Sequence, residues 1–440
     1  MPEHDANPVA AAPPSAPLPS LLRRPQFFAY WSGGLVSNVG TWLQNVTASV
    51  LILELTHRPV MVGVLNFATF APIFALSMLG GMLSDRFDRR LVVIVSQGFS
   101  MAVAAVITVL TMTNTINATS LICLATLLGC SYAIAKPALA ALLPALVERD
   151  EIAHATAVNT LQFNIGQVAG SALSALALAV GSYSLAFALN TISFAGPIVS
   201  MIVLRRVRMP ARASKLDMRG SGRAGLKLLL NSPTMASILV AVALSNASVE
   251  ALRTTAPELV DRMPGLSASS AGVLVTAYAV GATIGLLSFS WVSRHVSPGR
   301  VITAAFAMQA VGVLATAAAD SLIPAAVFAL PIGLGFSLNI PVLSAQLQHM
   351  STEEFRGRVM SLFSMAHLGI RPIFSLTAGA LATVMDARAA LALFAVFPIV
   401  AVVLVGRRGG DAVDGGRPRD PAGRVDAVRH EQHSEDGTPV

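Results

Sequence analysis

Residues Gly80 to Leu91 read G-G-M-L-S-D-R-F-D-R-R-L, a cluster of charges set between two long apolar runs. Met61 to Leu79 before it and Leu91 to Ala135 after it carry no charge. A hydrophobic run of about 20 residues is long enough to cross a bilayer as a helix, so the charges belong to a tight hairpin at one membrane face. Gly80 and Gly81 would let two helices approach closely there. Asp85, at the helix exit, is placed to meet the positive N-terminus of another helix. Arg86, Arg89 and Arg90 hold the turn on the cytoplasmic side.

Composition agrees with a membrane chain. Of 440 residues, 54% are hydrophobic and only 12% charged, against about a quarter charged in soluble domains. The formal charge of +7 falls between apolar runs instead of on one polar surface, so it orients the chain in a membrane and gives no sign of nucleic-acid binding. Residues 1–20, rich in Ala and Pro, lack the order of a cleavable signal peptide and are expected to be a disordered cytoplasmic tail. Residues 409–440 are expected to be disordered too. About twelve apolar spans lie between residues 27 and 405. The loops assigned inside hold Arg86, Arg89, Arg90, Arg149, Arg294, Arg300, Arg356 and Arg358, and the linker 205–232 adds more, against Arg58, Arg262 and Arg388 outside. Both termini are therefore expected in the cytoplasm.

The linker divides the chain into residues 21–204 and 233–408. A shift of about 204 residues brings Pro137 onto Pro341, Glu54 onto Glu258, and Glu148-Arg149-Asp150-Glu151 beside Thr352-Glu353-Glu354. Weak internal repetition of six-span halves marks transporters that rock one half against the other around a midplane site. Cys123 and Cys130, on one face of one span, offer neither a disulfide framework nor a metal site and are expected to be small core residues.

The hairpin resembles the signature G-x-L-x-D-R-x-G-R-R of the major facilitator superfamily. Gly81, Leu83, Asp85, Arg86, Arg89 and Arg90 match, and Asp88 stands where Gly is commoner. Ser37 to Asn45 (S-N-V-G-T-W-L-Q-N), Ala141 to Val147 (A-L-L-P-A-L-V) and Arg356 to Leu362 (R-G-R-V-M-S-L) are similar to the branch of bacterial siderophore and small-drug exporters. The resemblance implies an all-α membrane protein of twelve transmembrane helices in two pseudo-symmetric six-helix halves. The antiporter motif of the fifth span is incomplete here: Gly166 and Gly170 keep the paired glycines and their close packing, but Ser171 replaces the proline.

Polar side chains inside a membrane are expensive and tend to face a cavity or a partner helix. The candidates for a substrate cavity are Asn38, Gln44 and Asn45 in the first span, Asn164 and Gln167 in the fifth, Asn246 in the seventh, and His367 and Arg371 in the eleventh. In the resembling fold these spans line the cavity. Arg371 is the candidate to meet a substrate carboxylate or catecholate. Glu250 and Arg253 form an i, i+3 pair that either braces the seventh span or carries protons. Family geometry implies a conformational latch in which Asp85, with Gly81, Arg86, Arg89 and Arg90, meets the helix start at Glu353, Glu354 and Gly357.

There is no nucleotide loop, no H-E-x-x-H and no clustered Cys and His, so neither an enzyme nor a metal or cofactor is expected. The resemblance implies a monomeric multi-pass inner-membrane transporter that exports a small amphipathic organic molecule (siderophore, antibiotic or drug) by alternating access, driven by protons. The alternatives are metabolite uptake by the same fold, and a membrane receptor or membrane-bound enzyme.

Overall fold

The computed structural model describes residues 21–148, 151–206, 232–351, 359–360 and 362–414. The expected tail 1–20, most of the linker and residues 415–440 lie outside the described residues, as do Glu353, Glu354 and Gly357. The described chain is all helix: α1 Pro25–Thr56, α2 Pro59–Arg86, α3 Arg89–Met112, α4 Ala118–Leu142, α5 Ile152–Ala179, α6 Tyr183–Ser193 and α7 Ala195–Val203 precede the linker. After it come α8 Pro233–Asp261, α9 Ala271–His295, α10 Pro298–Ala318, α11 Leu322–Met350, α12 Arg371–Met385, α13 Ala387–Leu393 and α14 Val396–Asp414. The last helix runs past residue 408, where the sequence led to an expectation of disorder.

Local chemistry explains the boundaries. Asp88, the departure from the hairpin signature, is the N-cap of α3 and accepts from the Arg90 N–H at 2.8 Å. A capping carboxylate satisfies an otherwise orphaned helix donor. Asn117 and Ser120 form a capping box at the start of α4. The breaks between α6 and α7 and between α13 and α14 fall at Phe194 and at Phe394-Ala395. Each lies just upstream of a proline, Pro197 or Pro398, whose ring clashes with the carbonyl four residues before it. These paired breaks add to the internal repeat.

Among the described residues ten helical segments are long and apolar enough to span a membrane. The broken pairs Tyr183–Val203 and Ala387–Val405 each count as one. Of the twelve expected spans, α1 and α5 are not among them, although they run 32 and 28 residues. Their Asn, Gln, Ser and Thr residues lower the mean hydropathy. These are the helices whose polar stripes drew attention in the sequence.

The same pairings recur on both sides of the linker: α2 and α3 pack on α4 as α9 and α10 pack on α11, and α1 packs on α5 as α8 packs on α12. As expected, Gly166 and Gly170 carry the α1–α5 contact. A Cβ on Gly166 would lie 2.6 Å from Asn38 Cβ, and one on Gly170 would meet the Val39 carbonyl and Trp42. Of the hairpin pair, Gly80 packs against the α4 backbone at Ala133 and Ile134, whereas Gly81 faces open space. The close approach expected of Gly81 is absent in this conformation. Cys123 is exposed and Cys130 half-buried, which corrects their expected place in the core: α4 turns that face away from its neighbours.

Among the described residues the two groups of helices share one apolar core at one end. There, a single apolar cluster draws on α1, α2, α8, α9 and α13, including Leu51, Ile52, Val62, Leu252, Leu259 and Leu391. Val60 N–H donates to Thr383 Oγ1 at 2.9 Å, linking α2 to α12, and Gly272 of α9 lies against the Ser171 carbonyl of α5. At the other end the core divides into two clusters, one around Phe27, Leu142 and Met201 and one around Phe306, Leu343 and Leu347. The Arg-rich loops lie at this parted end.

The start of the first group is tied by a two-pronged ion pair. Arg24 Nη1 and Nη2 donate to Glu151 Oε2 and Oε1 at 2.6 and 2.8 Å, and the Glu148 N–H also donates to Oε2. The Arg24 hydrogen bonds hold the Glu151 carboxyl below its ordinary value of 4.5, with the Glu148 N–H adding to this. A lowered folded pKa stabilises above the unfolded value, and that stabilisation is lost as pH falls through it toward the folded pKa. Thermal unfolding of Arg24→Gln in detergent should therefore lie below that of the native chain at pH 7, with the gap closing below about pH 4.5. A gap of constant size would show that the pair does not supply it.

Candidate functional site

A buried carboxylate with two cationic partners sits in the middle of α8. Glu250 is 1% exposed, and its Oε1 accepts two charged hydrogen bonds: from Arg371 Nε at 2.6 Å and from Arg253 Nη1 at 3.1 Å. The sequence showed one compensating cation three residues along the helix; the fold adds a second from the start of α12. Two guanidinium groups on one carboxylate leave a buried surplus of one positive charge. The other group of helices faces that surplus with aromatic rings. Arg253 Cζ lies 4.6 Å from the Trp42 ring centre, and Arg371 Cζ lies 5.1 Å from that of Phe70; Tyr278 of α9, in the same group as the ion cluster, adds a ring 5.1 Å from Arg253 Cζ. Ring faces carry negative charge density and attract such cations, most strongly where water is excluded.

Arg371 owes its position to a local irregularity. A π-turn, Met365–Gly369, precedes it, and Pro372 follows at the start of α12. π-turns inside helices re-aim side chains and occur often at functional sites. The same turn presents His367, whose ring stacks between Phe336 and Phe363 with centroids 5.8 Å from each. Asn246 Nδ2 donates to the Val242 carbonyl at 2.9 Å and reaches His367 Nδ1 at 3.4 Å. An amide nitrogen can only donate, so Nδ1 is the acceptor and the imidazole proton is on Nε2.

A cavity of about 30 Å³ adjoins the ion cluster, lined by Trp42, Asn45, Asn66, Phe70, Glu250 and Arg253 among others. That is far below the roughly 300–1,000 Å³ of an organic-ligand site. This part of the interface is closed in the conformation described.

The candidates from sequence divide into two sets. Glu250, Arg253, Arg371, His367, Asn246 and Asn45 come together between the groups of helices. Others serve seams between neighbouring helices. Asn38 Nδ2 donates to Gln162 Oε1 at 3.2 Å, and Gln44, buried, accepts from Asn190 Nδ2 at 2.6 Å. Gln167 is buried with its Nε2 unpartnered, and Asn164 is half-buried. Spacing on a helix told which residues share a face, but not which neighbour that face meets. In the hairpin, Arg89 Nη1 donates to the Ala141 carbonyl at 3.1 Å, Arg90 Nη1 donates to the Arg205 carbonyl, and Arg86 is exposed at the helix end. The Asp85 side chain lies outside the described residues, with the partner helix start it was expected to meet. No group of His, Cys, Asp and Glu among the described residues could hold a metal.

Trp42, Asn66, Phe70, Tyr278 and Lys136 were not singled out in the sequence. Asn66 and Lys136 had a signal, being polar side chains in otherwise apolar spans. The aromatic residues had none, because a ring in a membrane helix is as well suited to lipid as to a cation.

A profile of the transmembrane secretion effector family matches residues 15–410. The chain is 28% identical over 282 residues to the enterobactin exporter EntS of Escherichia coli O1:K1 / APEC, covering 64% of this chain and 67% of the relative. The exporter of the same name from Shigella boydii serotype 4 matches to the same extent. Among solved structures, the nucleoside transporter NupG superposes with a TM-score of 0.71 at 11% identity, covering 87% of this chain and all of that one. A bacterial homologue of the human lysosomal transporter Spinster, inward-facing and occupied, gives 0.66 at 13% identity over 87% and 95%. These structural likenesses show the fold. The chain is a multi-pass inner-membrane protein and a secondary transporter, and it belongs to the transmembrane secretion effector family of the major facilitator superfamily.

Proposed function

We propose that this transporter exports a small amphipathic organic molecule bearing an acidic group, and that the acid is received by Arg371 and Arg253 in exchange for Glu250. The observation that carries this reading is the single buried carboxylate oxygen shared by two guanidinium groups, with aromatic rings of the opposite helices over both. An incoming acid can replace Glu250 as the hydrogen-bond partner without leaving either cation bare, and an amphipathic body suits the aromatic walls. The relatives named for enterobactin export make a siderophore one candidate, beside antibiotics and drugs.

In this reading the chain has twelve spans, with α1 and α5 completing the ten apolar ones. They form six-helix halves at 21–204 and 233–408, joined by a cytoplasmic linker at 205–232, in a monomer with both termini in the cytoplasm. The Arg-rich parted end then faces the cytoplasm, and the conformation described is the inward-open one. Cells expressing the protein should gain resistance to added toxic amphipathic acids and lose it with Arg371→Ala. Accumulation of the acid instead would mark uptake.

Protons act at Glu250 in this proposal. A proton on the carboxylate and an acid on the guanidinium groups both alter the hold of the same pair, so occupancy by one is linked to occupancy by the other. Glu250→Gln in proteoliposomes should abolish gradient-driven transport while sparing exchange of substrate across the membrane. Uphill transport that persists in this variant would remove Glu250 from coupling.

The hairpin is the proposed latch. When the parted end closes, Asp85 meets the helix start near Glu353, Glu354 and Gly357, and Gly81, open now, provides the room. A charge at a helix terminus contributes about 0.3–1 kcal/mol when exposed and up to roughly 2 when partly buried, enough to shift a balanced equilibrium severalfold. Asp85→Asn should raise cytoplasmic labelling of a cysteine at position 45 and slow transport at unchanged membrane abundance. Transport at the native rate would argue against the latch.

A further inference from the structure

The cavity beside the ion cluster is too small for an organic ligand, but it gathers polar groups whose hydrogen-bonding capacity is unmet. Both bonds to Glu250 fall on Oε1, and Oε2 accepts none among the described residues. Arg253 Nε is buried without a partner. Asn45 of α1 and Asn66 of α2 line the same cavity, and neither carboxamide has a hydrogen-bond partner among the described residues. Ser49 Oγ donates to the Asn45 backbone carbonyl at 2.9 Å, which leaves its lone pairs free. Buried polar groups without partners are rare, and ordered water is a common remedy. A buried water makes about three hydrogen bonds and needs about 10–15 Å³, so the cavity of about 30 Å³ holds about two.

The cavity lies on the joined-end side of the cluster. Along α8 it runs from Glu250 to Pro257, about 10 Å at 1.5 Å per residue, toward the helix end at Asp261. Asn45 follows Trp42 toward the end of α1, and Asn66 precedes Phe70 toward the start of α2. Each carboxamide therefore stands about one turn nearer the joined end than the ring on its own helix. Ala256 and Ala271 also line the cavity, and both belong to the apolar cluster that closes that end.

We infer that this cavity is a two-water proton path, positioned by Asn45 and Asn66, through which Glu250 exchanges its proton with the joined-end side, while the transported acid reaches Arg371 from the parted side. This rests on the reading of Glu250 as the coupling group and supplies its route. A proton arriving at the outer water displaces one of that water's own to the inner water, which gives one to Glu250 Oε2. One O–H bond forms on the carboxylate, and both waters are restored. The two arginines occupy Oε1, so Oε2 is the oxygen that takes the proton. The charged and titratable groups around Glu250 are Arg253 on its own helix, Arg371 from α12, Tyr278 from α9 and, one turn back, His367 against Asn246. The first group of helices brings only neutral side chains to the cavity. In the conformation described, the apolar cluster blocks the path beyond Ala256 and Ala271, and parting of the joined end opens it.

The test uses the full chain in nanodiscs and proteoliposomes. X-ray radiolysis makes hydroxyl radicals from bound water, and these oxidise the side chains beside it even where bulk solvent does not reach. Trp42 and Pro257, both buried, should be oxidised in the native protein and severalfold less in Asn66→Leu, which nearly keeps the volume and removes the hydrogen bonds. The same variant should slow proton-driven uphill transport about tenfold, the scale of one hydrogen bond in a buried path. Asn66→Ser, which can still hold a water, should restore it. Trp42 and Pro257 left unoxidised in the native protein, or uphill transport at the native rate in Asn66→Leu, would overturn the path. A loss in Asn66→Ser equal to that in Asn66→Leu would mark a packing role and overturn it too. If Glu250→Gln loses uphill transport while Asn66→Leu does not, only the path falls. If Glu250→Gln transports uphill as the native chain does, the coupling reading falls with it.

Discussion

Glu250 Oε1 is the atom on which the interior of this protein depends. It sits between a guanidinium group from its own helix and one from α12, in a part of the chain where charge is costly. Removing a partner from a buried ion pair leaves an uncompensated charge, which costs more than the pair ever contributed. The three side chains are therefore bound to act as a unit, and the fold is arranged around them. The π-turn brings Arg371 to the carboxylate, while Trp42, Phe70 and Tyr278 cover the positive surplus with ring faces. Because Trp42 and Phe70 belong to the first group of helices and the ion cluster to the second, the electrostatics of the site and the contact between the groups are one interaction.

That link gives a physical account of how occupancy could move helices. The groups meet through a continuous apolar cluster at one end and separate at the other, so the cation–π contacts lie between a closed seam and an open cleft. A cation–π contact contributes about 0.5–1 kcal/mol when exposed and about 2 or more when desolvated. Two such contacts are commensurate with the few kcal/mol that separate the states of a two-state carrier. A ligand that draws Arg371 or Arg253 away from its ring therefore changes the balance between states without having to break the hydrophobic seam.

The fold was legible in the sequence because membranes impose simple rules. The charged hairpin at Asp85 to Arg90, the alternation of apolar runs and loops, and the repeat of Pro137 in Pro341 announced a helical membrane protein in two similar parts. Asp88, a mismatch to the signature, proved to be a helix cap. The helices α1 and α5 were harder to place by composition, since the polar residues that make them interesting also dilute their apolar character. Of the site, the Glu250–Arg253 pair was visible because i and i+3 positions touch within one helix. The bond from Arg371 was not, because it joins residues 121 apart in sequence. The aromatic caps were hidden for a different reason: lipid accepts rings as readily as a cation does.

The ring faces of one helix group thus hold the arginines of the other and favour the state that is closed at the joined end. Spin labels on cysteines replacing Thr156 of α5 and Trp291 of α9, with Cys123 and Cys130 changed to Ala, report the separation of the parted ends. Both positions are exposed, and their helices touch at the joined end through Gly272 and Ser171. Pulsed electron spin resonance distances on this background should show mainly the long separation. Adding Trp42→Leu, which removes the ring over Arg253, should raise the short-distance population severalfold. An unchanged distance distribution in that variant would contradict the claim.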